Sequence, residues 1–520
     1  MKNSKLTFIK FLSAFCILHF AFCICATAQE APPAPSAPRP VQIPAVKEKK
    51  LPNGLTVAVV ERKTVPLVTV QLLVKSGAQT EESAKAGLAN MTAALLTKGT
   101  KTRTATQIAE EMEFLGGSIA AGAGWTSSAV TIGAMSSKID AAMAIMADVV
   151  LNPAFKQEEI DLLKSQTLDG LTYNLKQPGF LANYVSTAYS LYEHPPGGTP
   201  ESLNGIVRND FVEFHRNSFE PQNAILIFAG DITAVQANAL ARKYFGKWKN
   251  KPAETIEGDA IMVTEAADSV SERRRKEAEQ PLVKRILVID LPNSGQAAVS
   301  FNKSIRMNGR IVRDDKKNKG STSQVYYPAM VMNSLLGGGY SSRLNQEIRI
   351  KRGLSYGAGS SFAWRWYYTN FGTRTQTKNE SAAEVAELVL AEIKKLTEGS
   401  IADTELNPRK SVLTGNFGRN LETTGGLAAA IADLYIFELS TSELNTYMNS
   451  VQSVSDVKIR DFAKQNLMGG DVVIVGDYAV FKDDLAKRFP GMTIEVIKAD
   501  ELDLSKENLR KTGGTPRNGS

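Results

Sequence analysis

Two stretches of this 520-residue chain end alike. Ile225-Leu226-Ile227-Phe228-Ala229-Gly230-Asp231 leads through helical periodicity to Lys243-Tyr244-Phe245-Gly246, and Val472-Val473-Ile474-Val475-Gly476-Asp477 leads to Lys487-Arg488-Phe489. The two Gly-Asp pairs lie 246 residues apart, and Leu191-Tyr192 and Leu434-Tyr435 lie 243 apart in matching contexts. Two matches at nearly one spacing predict a duplicated domain. Homologous domains are placed at 49–255 and 286–496, which a chain of this length accommodates. In the first, a strand pair is expected at 55–61 and 65–75, joined by a short polar turn. Helical periodicity follows at 85–96, where Leu88, Met91 and Leu95 are spaced i, i+3, i+7. Further helices are expected at 105–115, 139–151, 156–175 and 234–244, with a strand at 224–229. Strands and helices in this mixture predict an α+β class.

The flanks read differently. Lys2, Lys5 and Lys10 precede an apolar run over 11–26, and Ala26-Thr27-Ala28 offers the small-x-small pattern of a signal peptide cleaved after residue 28. A membrane anchor is the competing reading, but the run is shorter than the ~20 residues of a span. Ile24 before Cys25 argues against a lipoprotein. The Pro-rich stretch 29–48 reads as an extended tether. Export, to the periplasm, with no membrane span after cleavage is therefore expected.

Removal of the first 28 residues takes three lysines and no acid, lowering the formal charge from +7 to +4. That is too weak and too dispersed for nucleic acid. It also takes Cys16, Cys23 and Cys25, the only cysteines, so disulfides, Cys-zinc sites and Cys nucleophiles are excluded. His194 and His215 remain. Arg273-Arg274-Arg275-Lys276 falls in a solvated linker, 256–285, and 303–319 reads as an exposed basic loop. Residues 497–520 read as a polar, frayed tail.

The segment Gly87-Leu88-Ala89-Asn90-Met91-Thr92-Ala93-Ala94, closing with Lys98-Gly99-Thr100, resembles the zinc helix of the pitrilysin/insulinase-like metallopeptidases. In that family an inverted motif, H-x-x-E-H, places two zinc-binding histidines on one helix face, with a glutamate that activates the metal-bound water. Here Asn90 and Ala94 stand at the histidine positions and Ala93 at the glutamate. The family's third ligand, a glutamate 76 residues beyond the second histidine, falls on Gly170. Asp169 is the neighbouring acid, on another side of the helix. A zinc site rebuilt from it with His194 and His215 would need ligands on separate segments to converge. Leu115-Gly116-Gly117-Ser118 matches the family's edge-strand entry, with Ala120 in place of its peptide-holding Asn. His194-Pro195, Gly198 to Leu203, and Asn223 to Asp231 follow the end of its first domain. The likeness spans about 50–496. It implies two homologous mitochondrial-processing-peptidase-like domains, mixed sheets flanked by helices, forming half of a clamshell.

The second domain carries a different set. Leu335-Leu336-Gly337-Gly338-Gly339-Tyr340 runs on to Gln346-Glu347-Ile348-Arg349 and then Gly353-Leu354-Ser355-Tyr356. Glycines suit a chain that must pass close to another backbone. Arg349 and Tyr356 stand seven residues apart, as do the Arg and Tyr that C-terminal domains of this family present to substrate. The resemblance implies that this pair hydrogen-bonds peptide carbonyls and steadies charge developing at the scissile bond. The bland alternatives are a surface arginine paired with Glu347 and a half-buried strand tyrosine. No serine lies in a motif with a histidine that would activate it.

Two functions follow. In the first, the chain is a non-catalytic subunit of an exported heteromeric zinc peptidase that cleaves unfolded peptides. It holds no metal, and it lends Arg349 and Tyr356 to a homologous partner that keeps H-x-x-E-H and the zinc. In the second, it is a structural or peptide-capturing scaffold with no part in hydrolysis. The retained Arg349/Tyr356 pair favours the first. An independent peptidase is excluded by the four replaced positions.

Overall fold

The computed structural model describes residues 43–513 apart from 44, 192, 251–278, 307–320 and 367. The expected signal peptide, most of the tether, linker and basic loop, and Tyr192 of the repeat lie outside the described residues. The first sheet contains β1 (Lys47–Lys50), β2 (Thr56–Glu61), β3 (Leu67–Val74), β4 (Ser118–Ala123), β5 (Ser128–Met135) and β6 (Ala224–Gly230), in the order β1-β2-β6-β3-β5-β4. The second contains β7 (Val283–Asp290), β8 (Ala297–Arg306), β9 (Ala358–Trp364), β10 (Tyr368–Thr377), β11 (Gly470–Gly476) and β12 (Ile494–Lys498), in the order β12-β7-β11-β8-β10-β9.

Five strands of each sheet match one for one. β2 pairs parallel with β6, and β7 with β11. The pairings β3–β6, β3–β5 and β4–β5 are antiparallel, as are β8–β11, β8–β10 and β9–β10. The sixth strand comes from opposite chain ends: β1 is antiparallel to β2, whereas β12 is parallel to β7. The duplication expected from the Gly-Asp pairs is therefore a duplication of topology.

The expected pairing of β2 with β3 is corrected. Both strands form, but β6 lies between them. Every residue of β6 is buried, and a strand with no polar face belongs inside a sheet, bonded on both sides. The repeat's glycine has a local cause. Gly230 sits at φ +132, where a Cβ would strike the Leu67 carbonyl oxygen as β6 crosses the start of β3.

Four boundaries move. Residues 303–306, expected in the exposed basic loop, close β8 and pair with β10. β1 opens at Lys47, two residues inside the expected tether, with the Lys47 ammonium 2.7 Å from Glu61. β7 opens at Val283, inside the expected linker. The expected frayed tail folds back through residue 513: Leu502 bridges Arg510, and Leu504 and Leu509 are buried in the large core cluster. Two leucines in a polar stretch were enough to anchor it, which average composition does not reveal.

The domains are interlocked. The helix Pro178–Tyr189 of the first packs on β8, β10 and β11 of the second, and Thr424–Ile436 of the second packs on β3 and β6 of the first. The 243-residue offset relates these two helices, so each copy covers the other copy's sheet. Hydroxyls and amides close both seams: Thr69 Oγ1 lies 2.8 Å from Thr424 Oγ1, and Asn302 Nδ2 donates to Ser186 Oγ at 3.0 Å. Separating the domains would expose both apolar seams to water.

Candidate functional site

The helix Leu88–Leu96 is held at its start by one buried carboxylate. Glu81 accepts from the backbone N–H of Gly87 at 2.8 Å and of Ala89 at 2.6 Å, where a helix N-terminus favours negative charge. His194 Nε2 lies 3.0 Å from Glu81 Oε1, and its ring packs 4.9 Å from Trp125. His215 bonds the Val150 carbonyl at 2.9 Å and stacks on Phe219, and burial pulls its pKa down. The two histidines are thus engaged in separate packing roles.

Asn90 is exposed and donates to the Ala123 carbonyl at 3.4 Å; Ala93 is buried and Ala94 half-buried. Gly170 lies exposed on the helix Gln157–Asn174, which packs against Leu88–Leu96, and a Cβ there would meet open space. Among the described residues no three His, Cys, Asp or Glu side chains converge. Zinc takes nitrogen, sulfur or carboxylate donors, almost always three or four from protein. One amide, two methyls and a glycine do not fit it.

The second domain places its functional candidates around a cavity. The helix Ser321–Leu336 ends at Gly337, whose carbonyl accepts from the Ser360 N–H of β9 at 3.1 Å. A Cβ on Gly337 would collide with that same backbone, so the helix end can press on β9 only as glycine. Asn345 ties the loop down, donating to the Tyr340 carbonyl and accepting from the Ala358 N–H. Asn345–Lys351 is wound as a π-helix, a form concentrated at functional sites.

Arg349 stands on this π-helix. The alternative of a Glu347 ion pair is not what forms: Glu347 is taken by Lys351 at 2.9 Å and by Arg352, and the hydrogen bonds from these two cations hold its pKa low. The Arg349 guanidinium instead lies 5.0 Å from the Tyr340 ring centre, a cation–π contact. Tyr356 is not a half-buried strand residue. It sits in the loop before β9, 90% exposed. Both line one cavity of about 1200 Å³, whose floor is β8, β9 and β10. Gly179, Phe180 and Asn183 of the exchanged first-domain helix form a wall. Pocket and interlock are one construction.

Residues 56–189 match the family model described as insulinase (peptidase family M16), and residues 205–413 match the one described as peptidase M16 inactive domain. The chain belongs to the M16 peptidase family. With all four zinc-motif positions replaced, it is a peptidase-like member without the catalytic set. A protein of Rickettsia felis called an uncharacterized zinc protease is 26% identical over 381 residues, 71% of this chain and 82% of that one. A Helicobacter pylori protein called the non-peptidase homolog YmxG is 24% identical over 418 residues, 78% of this chain and 87% of that one. The crystal structure of a peptidase M16 inactive domain from Pseudomonas fluorescens shares the fold, with a TM-score of 0.70 and 23% identity. The match covers 83% of this chain and 98% of that one.

In this M16 chain, one polar cluster at the seam had no local signal. Glu193, 6% exposed, accepts from Arg365 Nε at 2.9 Å, Tyr368 OH at 2.8 Å and Asn370 Nδ2 at 3.0 Å. Arg365 also stacks over Trp125. Burial, then the Glu193 charge, pushes the Tyr368 phenol far above its usual range. The acid comes from the first domain and its three donors from the second, and no periodicity or motif joins them.

Proposed function

We propose that this chain is the non-catalytic subunit of an exported heteromeric zinc peptidase acting on unfolded peptides. Its partner is a homologous subunit with an intact H-x-x-E-H motif that holds the zinc. Arg349 and Tyr356 of this chain complete the partner's active site. One observation carries the reading: the pair lines a single cavity, and among the described residues neither side chain is engaged by an acid. A phenol left 90% exposed and a guanidinium held, among the described residues, by a ring alone are donors kept available for a ligand. Hydrogen bonds from both to a peptide carbonyl would strengthen as negative charge grows on its oxygen. Zinc supplies the activated water and belongs to the partner, because Asn90, Ala93, Ala94 and Gly170 cannot ligate it. Export rests on the first 28 residues.

Peptide turnover by the reconstituted pair tests the reading, with Arg349→Ala or Tyr356→Phe in this chain and gel filtration to follow assembly. A lower kcat with the complex intact is expected. Unchanged kcat and KM in both variants would return the chain to the scaffold role.

A further inference from the structure

We propose, building on the subunit reading, that this cavity selects peptide segments bearing a carboxylate and that Arg374 is the selecting residue. Among the described residues that line it, the charged side chains are Arg349 and Arg374, and no Asp or Glu is present. Arg374 lies mid-way along β10, where Thr373 and Thr375 are buried while Arg374 and Gln376 are exposed on the cavity face. Acids of the surrounding elements are committed elsewhere: Glu347 to Lys351 and Arg352, Glu193 to Arg365, and Glu405 to Arg343. A third guanidinium, Arg409, is buried behind the glycine loop and bonded to the Ser341 carbonyl; its Nη1 would lie 3.7 Å from a Cβ at Gly339, which lines the cavity.

Cationic groups without counter-ions in a concave, partly enclosed surface focus positive potential. The planar guanidinium fork matches a carboxylate in a two-bond geometry that an ammonium cannot give. The other polar lining, including the amides Asn183 and Gln376, is neutral and both donates and accepts, as an extended peptide backbone requires. Arg349 addresses the scissile carbonyl, and Arg374 is left for the charge. The carboxylate comes from an Asp or Glu side chain or from the peptide's C-terminus.

The test is fluorescence anisotropy on the purified mature chain with four labelled, unstructured peptides of equal length. One is Glu-rich and amidated, one neutral with a free C-terminus, one neutral and amidated, and one Lys-rich and amidated. At least one of the first two should bind tighter than the neutral amidated peptide by about tenfold, the scale of one charge-assisted hydrogen-bonded pair. The first two arms separate the two sources of carboxylate. Arg374→Gln should erase the preference, and added salt should weaken it. Arg374→Glu should turn the preference toward the Lys-rich peptide, a gain that misfolding cannot produce. Equal binding of all four peptides, or a preference unchanged in Arg374→Gln, overturns the proposal. Turnover by the reconstituted pair separates the two readings. If Arg349→Ala lowers turnover while charge preference is absent, selection alone falls. If Arg374-dependent preference persists while turnover ignores Arg349, the subunit reading falls.

Discussion

The two domains are built on one strand topology, yet the candidate sites they carry hold opposite contents. In the first, the helix Leu88–Leu96 meets Gln157–Asn174 with one amide, two methyls and a glycine at the motif positions. In the second, the glycine loop, π-helix and β9 surround a cavity furnished with guanidiniums, phenols and amides. The scaffold around the emptied site has not loosened. Glu81 still caps its helix, and Ala93 is as buried as any core residue. The helix is held by buried apolar packing and the Glu81 cap, interactions that do not call on a metal. The furnished site depends on the first domain, because the helix Pro178–Tyr189 is one of its walls.

The largest expected effect attacks that dependence. Glu193→Ala leaves Arg365 mostly buried without its carboxylate and strips Tyr368 and Asn370 of their acceptor. Breaking such a buried pair costs about 3 kcal/mol or more. The expected readout is a lower denaturant midpoint for the whole chain in one transition. Two transitions, with one domain unaffected, would mean that the domains do not depend on each other.

Next comes the chemistry of the furnished site. Arg349→Ala should lower the partner's turnover by ~10²-fold, about 2.7 kcal/mol, the loss of one donor to a developing oxyanion. Tyr356→Phe removes only a hydroxyl from an exposed ring and, as loss of one donor, should also cost ~10²-fold, with stability unaltered. Asn90→Ala in the emptied site should leave turnover unchanged. Equal losses from Asn90→Ala and Arg349→Ala would erase the contrast between the domains.

Much of this was legible in the sequence, for identifiable reasons. The duplication was visible because strand ends crossing a neighbour tolerate only glycine, as Gly230 does. The emptied site was visible because ligand chemistry resides in residue type, and Asn90, Ala93, Ala94 and Gly170 state their own incapacity. The order of strands was not, since β6 joins β2 and β3 through chain far removed in sequence. Nor was the exchange of helices, whose apolar faces look the same whichever sheet they cover. The Glu193–Arg365 contact spans 172 residues, and nothing local marks either partner. Tyr356 was misjudged as a strand residue in the bland reading because β9 starts two residues later, a shift finer than propensity resolves.

A smaller effect comes from His215. Its Nε2 contacts a carbonyl, which fixes the neutral tautomer with hydrogen on Nε2, and burial lowers its pKa from 6.5. The unfolded chain then takes up the proton first. Stability is full above about pH 6.5 and falls as pH drops below it, by at most ~1.4 kcal/mol per pH unit. Urea midpoints of the protein and His215→Gln, compared at pH 7.5 and 5.5, should converge at the lower pH. A parallel fall in both would assign the acid sensitivity to other groups.

The smallest effect is the sharpest probe of the emptied site. Gly170 lies inside the helix Gln157–Asn174, exposed, with nothing within 4 Å of an added Cβ. A helix-interior glycine costs roughly 0.5–1 kcal/mol relative to alanine, chiefly through the freedom it gives the unfolded chain. Gly170→Ala should therefore raise the unfolding free energy by that amount, read as a higher denaturant midpoint at unchanged m. It should leave peptide turnover by the reconstituted pair unchanged and zinc content, by elemental analysis, negligible. If the emptied site still receives a closely packed peptide or partner backbone, the methyl will obstruct it. Stability would then rise while turnover or assembly falls, and that split would show that losing the metal did not retire the site.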